Sequence, residues 1–96
     1  MYYLYILHSA SSDKFYVGQT NDIQRRLDEH NHQQKNSYTA KYRPWRLVKL
    51  FEVGESLGQA RKIENHVKSM KSRKYIERLI DREDIDDSIS RYDESA

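Results

Sequence analysis

Residues 14–30 read KFYVGQTNDIQRRLDEH, and the reading of this stretch decides the fold. It opens on Phe15-Tyr16-Val17, a short aromatic and β-branched run closed by Gly18, the pattern of a strand running into a turn. Asn21 or Thr20 then caps a helix by accepting from the free amides of its first turn. Asp22 falls within that turn, where negative charge suits the helix dipole. Ile23, Leu27 and His30 recur at helical spacing, with charges on the opposite face. Arg26 and His30, four residues apart, are neighbours on one stripe. A tyrosine at a strand end, a glycine turn, and Arg and His projecting together from the next helix make a site-like arrangement.

Towards the N-terminus, Tyr2 to His8 (YYLYILH) is a first strand. Alternation puts Tyr3, Tyr5 and Leu7 on one face and Tyr2, Leu4, Ile6 and His8 on the other, so both faces are largely apolar, as in a central strand covered on both sides. Residues 9–13 form a loop, and Phe15–Val17 returns antiparallel. Opposed residues in such a pair have numbers adding to a constant. Tyr5 and Tyr16 share a face only if that sum is odd, as when His8 faces Asp13, because a slip of one residue flips the strand.

Towards the C-terminus, the helix runs to Asn31 or Gln33, and residues 32–42 are polar and aperiodic, a mobile surface loop. Pro44 pushes Arg43 towards an extended conformation. Trp45 to Val53 is a third strand, with Trp45, Leu47 and Lys49 alternating against Arg46, Val48 and Leu50. Ser56 caps a second helix whose apolar stripe is Leu57, Ala60, Ile63, Val67 and Met70. A break near Ser72 starts a shorter third helix with Ile76, Leu79 and Ile80. The order β-β-α-β-α-α predicts an α+β fold, a small three-stranded antiparallel sheet flanked by helices. Residues 1–80 make the domain; residues 81–96, acidic and poor in large apolar groups, are expected to be a flexible tail.

Ninety-six residues suffice for one small domain with a modest core. The chain has no cysteine, which removes disulfides and thiolate zinc sites and fits a reducing compartment. No apolar run approaches the ~20 residues needed to span a bilayer, and Met1 leads straight into strand-like sequence, so a soluble, cytoplasmic protein is expected. The formal charge of +2 hides an asymmetry. Residues 1–80 carry 15 Lys/Arg against 8 Asp/Glu, and residues 81–96 carry 2 against 7. Eight of the eleven aromatic residues are tyrosine, and a basic body with interspersed tyrosines suggests a polyanionic partner.

Tyr3-Leu4-Tyr5-Ile6-Leu7, Tyr16-Val17-Gly18, then Arg26 and His30, then Glu64 on a later helix follow one another in a chain of this size. In this the sequence resembles the GIY-YIG nuclease superfamily, and most closely its small stand-alone bacterial members. The likeness spans about residues 1–80, including KYRPW at 41–45 and ARKIENHVK at 60–68. It departs at the first signature, where Tyr3-Leu4-Tyr5 stands in place of Gly-Ile-Tyr; the functional tyrosine, Tyr5, is kept.

The resemblance implies phosphodiester cleavage with one divalent metal. Glu64 would be the ligand of Mg2+ or Mn2+, and magnesium needs few protein groups because it keeps several waters. Arg26 would neutralise the phosphate as charge develops. Tyr5 and Tyr16 would orient the attacking water or serve as its base, which for a phenol of pKa near 10 requires positive charge close by. His30 would relay a proton or contact phosphate. Each also has an ordinary reading: a solvated carboxylate, a surface arginine, core tyrosines, and a histidine at a helix C-terminus. The resemblance turns the balance towards chemistry.

Lys35, Lys41, Arg43, Lys68, Lys71, Arg73 and Lys74 can contact phosphates, and Tyr38, Tyr42 or Trp45 can stack on a base. The expectation is a divalent-metal-dependent endonuclease acting on DNA, in repair or in processing structured DNA, with either a targeting protein or a short, branched or single-stranded substrate supplying selectivity. Two alternatives stay open: a nucleic-acid-binding module without appreciable turnover, and a protein-interaction domain. The last predicts no salt-sensitive binding to DNA.

Overall fold

In the computed structural model, which describes residues 1–32 and 38–82, the central strand β1 (Tyr2–Ser9) is flanked by β2 (Lys14–Thr20) and β3 (Trp45–Gly54) in the antiparallel order β2-β1-β3. Four helices complete the described fold: α1 (Ile23–His32), the single-turn α2 (Tyr38–Lys41), α3 (Leu57–Ser69) and α4 (Arg73–Ile80). The α+β order read from the sequence is present. The short α2 stands in the connection read as a mobile loop, of which residues 33–37 lie outside the described residues.

Because β1 is apolar on both faces, each face gathers its own core. Leu4 and Ile6 pack with Val17, Phe51 and Val53 against Ala60, Ile63 and Val67 of α3 and Leu79 of α4. Tyr5 and Leu7 pack on the other face with Trp45, against Ile23 and Leu27 of α1. Burying each large aliphatic side chain stabilises by about 1.5–3 kcal/mol, so both layers hold the sheet.

Opposed residues of β1 and β2 add to an odd sum, with Tyr5 facing Gly18 and Leu7 facing Tyr16. Tyr5 and Tyr16 therefore share the α1 face, as a common site requires. Gly18 is not a turn: β2 runs on to Thr20. The glycine is needed because a Cβ at that position would collide with the Tyr5 phenol, which lies across the bare backbone.

Three further expectations are corrected. Asp22 is itself the cap of α1: its Oδ1 accepts from Arg25 N at 3.2 Å, while its own amide donates to Thr20 Oγ1 at 3.0 Å. The alternation in β3 does not run through. A bulge lets Leu47 face Leu7 and Lys49 face Ile6, leaving Val48 unmatched, so Trp45 and Leu47 serve one face while Lys49 and Phe51 lie on the other. Finally, the α3 stripe is buried only at Ala60, Ile63 and Val67, because Leu57 and Met70, at the two ends of the helix, are exposed.

The predicted cap at Ser56 is in place, and Ser72, read only as a break between helices, is also a cap; each accepts at 3.2 Å from the amide three residues on. Arg73 at the start of α4 donates to both the backbone oxygen and the carboxylate of Asp13, at 2.8 Å each, tying α4 to the β1–β2 turn. The expected acidic tail, from residue 83 on, lies outside the described residues. No helix among the described residues is long and apolar enough to cross a membrane.

Candidate active site

Tyr5 is the hub of a polar cluster set into the α1 face. One turn apart on α1, Arg26 and His30 both reach its hydroxyl: Arg26 Nε donates at 3.3 Å and His30 Nε2 lies at 2.9 Å. A guanidinium can only donate, so the Tyr5 oxygen accepts from Arg26. The direction of the Tyr5–His30 bond follows the imidazole tautomer: with the ring proton on Nδ1, Nε2 accepts from the Tyr5 hydroxyl. Arg26 is held from its other side by Glu29 Oε1 at 3.0 Å.

Burial decides the charge states. It pushes the Tyr5 hydroxyl up to about 12, against the lowering effect of Arg26. Tyr5 thus keeps its proton at neutral pH, and the positive charge beside it does not turn it into a standing base. Burial, together with Arg26, pushes His30 down to about 4, so it is neutral and free to accept. Tyr16 sets its ring edge against His30, with centroids 4.9 Å apart, and lies 6.4 Å from the Tyr5 ring.

These groups open into a cavity of about 340 Å³ along the β2 edge, where α1 and α3 approach from opposite faces of the sheet. Tyr5, Tyr16, Gly18 and Arg26 line one side, and Arg61, Glu64 and Asn65 of α3 line the other. Glu64 is mostly covered, its side chain 19% exposed, and its Oε2 accepts from Lys68 Nζ at 2.6 Å. The cavity thus brings together four of the five candidate catalytic residues from four elements, with His30 directly behind Tyr5.

No group of three or more His, Cys, Asp or Glu side chains gathers among the described residues. Magnesium does not require one, since one or two carboxylates, substrate phosphates and waters complete its octahedron. The cavity also contains Gln19, whose Oε1 is buried and has no hydrogen-bond partner among the described residues. A covered carboxylate and an unsatisfied hard oxygen in one cavity fit such an ion.

The candidate phosphate contacts are spread more widely. Lys68 faces the cavity through Glu64, and Lys71 and Arg73 line a neighbouring groove with Lys68. Lys74 is exposed on α4, and Lys41 lies over the Tyr42 ring at 5.5 Å. Arg43 donates its Nε to the backbone oxygen of His30 at 2.7 Å, so it braces the site helix. Lys35 lies outside the described residues. Of the candidate stacking residues, Trp45 is withdrawn: it is 3% exposed and its indole N–H donates to Thr39 O at 2.7 Å.

Sequence reading missed Gln19, Arg61 and Asn65. Arg61 had a signal, because it stands three residues before Glu64 and shares its helical face. Gln19 had none, since its burial follows from β2 continuing past Gly18.

A family model described as the GIY-YIG catalytic domain matches residues 1–76. Comparison with curated proteins finds no match.

Proposed function

This chain belongs to the GIY-YIG catalytic-domain family, a nuclease family, and from that premise we propose that it is a divalent-metal-dependent endonuclease hydrolysing phosphodiester bonds in DNA. The observation carrying the reading is the convergence of Tyr5, Tyr16, Arg26 and Glu64 on one cavity although they come from β1, β2, α1 and α3. The catalytic unit is residues 1–80, with 81–96 an acidic appendage.

In this mechanism Arg26 holds the scissile phosphate and offsets its growing negative charge, a task suited to a fixed fork of donors. Tyr5 orients the attacking water. As it takes the proton of that water, it passes its own to His30 Nε2, along the hydrogen bond already formed. Tyr16 walls the water between its ring and Tyr5. Glu64 would hold Mg2+ or Mn2+, whose chemistry when bound is to polarise a phosphoryl oxygen and acidify coordinated water. Lys68 must leave the Glu64 carboxylate for this to happen, and the substrate phosphates are its natural alternative partner.

Lys35, Lys41, Lys68, Lys71, Arg73 and Lys74 supply sequence-independent phosphate contacts. A domain of this size does not wrap a long duplex, so a targeting protein or a branched or single-stranded substrate provides selectivity, in a cytoplasmic role in DNA repair. A binding module without turnover is the second reading; the 2.6 Å Lys68–Glu64 bond favours it, because it occupies the carboxylate.

The test is cleavage of labelled single-stranded, duplex and branched DNA with magnesium or manganese, beside Glu64→Ala and Arg26→Ala. Cutting that disappears in both variants establishes the nuclease and its site. No cutting by any of the three, with salt-dependent binding retained, establishes the binding module. Activity surviving in Glu64→Ala removes the metal assignment.

A further inference from the structure

A second concavity, of about 470 Å³, lies between β2 and the α3–α4 corner and shares Tyr16 with the catalytic cavity. Its floor is apolar, formed by Phe15, Val67 and Ile76, and four cations surround it, Lys14, Lys68, Lys71 and Arg73, with the Asp13 carboxylate paired to Arg73. Arg73, bonded twice to Asp13, lays its guanidinium over one face of the Phe15 ring, 4.8 Å from its centre, so ring and guanidinium stack as one wall. Lys68 joins the two cavities, reaching Glu64 on one side and lying 5.3 Å over the Tyr16 ring. Lys71 is held at a left-handed φ of 47° in the α3–α4 turn, which aims that turn at the groove.

An apolar floor ringed by positive charge is complementary to a ligand with a flat apolar part and an attached anion. We propose that this groove takes one unpaired nucleotide of the strand being cut, its base against Phe15, Val67 and Ile76 and its phosphate between Lys68 and Lys71. A paired base is hidden in its duplex and cannot enter, so occupancy selects single-stranded or locally opened DNA at the cut. The inference rests on the nuclease reading for the strand's path through the adjacent cavity, and its test reads binding without cleavage.

The experiment uses the full-length chain in chelator, so that nothing is cut. Fluorescence anisotropy compares a short oligothymidine strand with the same backbone lacking its bases. The wild type should bind the base-bearing strand about tenfold more tightly, within the range that stacking one base on an aromatic supplies. In Phe15→Ala that ratio should fall to near one, with Phe15→Leu between the two. The ratio is independent of the folded fraction, which thermal melting reports separately. Lys71→Gly, which also relieves the left-handed backbone, should weaken both strands equally and lower the salt dependence of log affinity by about 0.7.

A wild type that binds both strands alike, or a Phe15→Ala variant that keeps the ratio, overturns the groove. Heparin binding weakened by Phe15→Ala to the same degree also overturns it, by making the groove a general polyanion site. Cleavage in magnesium is scored separately. A chain that never cuts but keeps the base-dependent ratio loses the nuclease reading alone; one that cuts with a ratio of one loses the groove alone.

Discussion

The two faces of this sheet are built from alternate residues of one strand, yet they differ in kind. Leu4 and Ile6 point into a layer closed by aliphatic side chains of α3 and α4. Tyr5, between them, points into a layer where a buried phenol and a buried imidazole meet a half-exposed guanidinium. The first layer is held by area, which is tolerant of detail. The second adds directed bonds to its apolar packing, each of which leaves a group unsatisfied if its partner is lost. The aliphatic layer and the polar cluster around Tyr5 are thus separated by the pleat of β1, at a distance of one residue, and the cavity joins them at the β2 edge, where Glu64 of α3 faces Tyr5 and Tyr16.

The sharpest way to break this contrast is Glu64→Gln. It should lower cleavage by about a thousandfold, the scale of losing a principal electrostatic group. Its partner Lys68 is 43% exposed and readily solvated by water, so the unfolding free energy should move by less than about 1 kcal/mol. A large drop in stability would mean that site and core are one structure. The reverse case is Ile6→Ala, expected to cost about 3–4 kcal/mol in urea unfolding. Cleavage per folded molecule should be unchanged; a collapse of kcat would show that the α3 layer positions the chemistry.

A third effect depends on pH. The folded-state value of His30 is pushed down to about 4 by burial and Arg26, below the ordinary 6.5. The unfolded chain therefore takes up the proton first as pH falls. The stabilisation is complete above about pH 6.5 and is lost between 6.5 and 4, an effect on the order of 3 kcal/mol. His30→Gln should flatten that part of the stability–pH curve; an unchanged slope would assign it to other groups. The smallest expected effect is Gly18→Ala, about 2 kcal/mol of overpacking against the Tyr5 ring. Because the displaced ring carries the hydroxyl, kcat should fall further than stability does, and an equal fall would weaken the role given to Tyr5.

The fold was legible where pattern and physics are local. The two-sided apolar run of β1, the cap at Ser56, the helix break near Ser72 and the helical stripe from Ala60 to Val67 follow from residue type and spacing. The odd register of β1 with β2 was derived as the condition for Tyr5 and Tyr16 to meet, and it is the one observed. Three features were not legible because their causes are tertiary. Gly18 looks like a turn until the Tyr5 phenol above it is known. The β3 bulge inserts a residue without any glycine or proline to mark it. Trp45 looks like a stacking platform until Thr39 closes over its indole. At the site, Arg26 beside His30 could be read from helical spacing, and Glu64 from family resemblance. The protonation states could not, because they depend on burial, which outweighs the charge of Arg26 at Tyr5.

The bridge between Asn31 and Trp45 has a dynamic consequence. The Asn31 carboxamide accepts from Trp45 N at 2.6 Å and donates to Trp45 O at 2.9 Å, so a side chain at the end of α1 takes the place of a neighbouring strand. Hydrogen exchange at the Trp45 amide therefore requires the end of α1 to lift from β3, not the sheet to unzip. A single backbone resonance thus reports the opening of the helix that carries Arg26 and His30, and its protection factor measures the ratio of assembled to opened site.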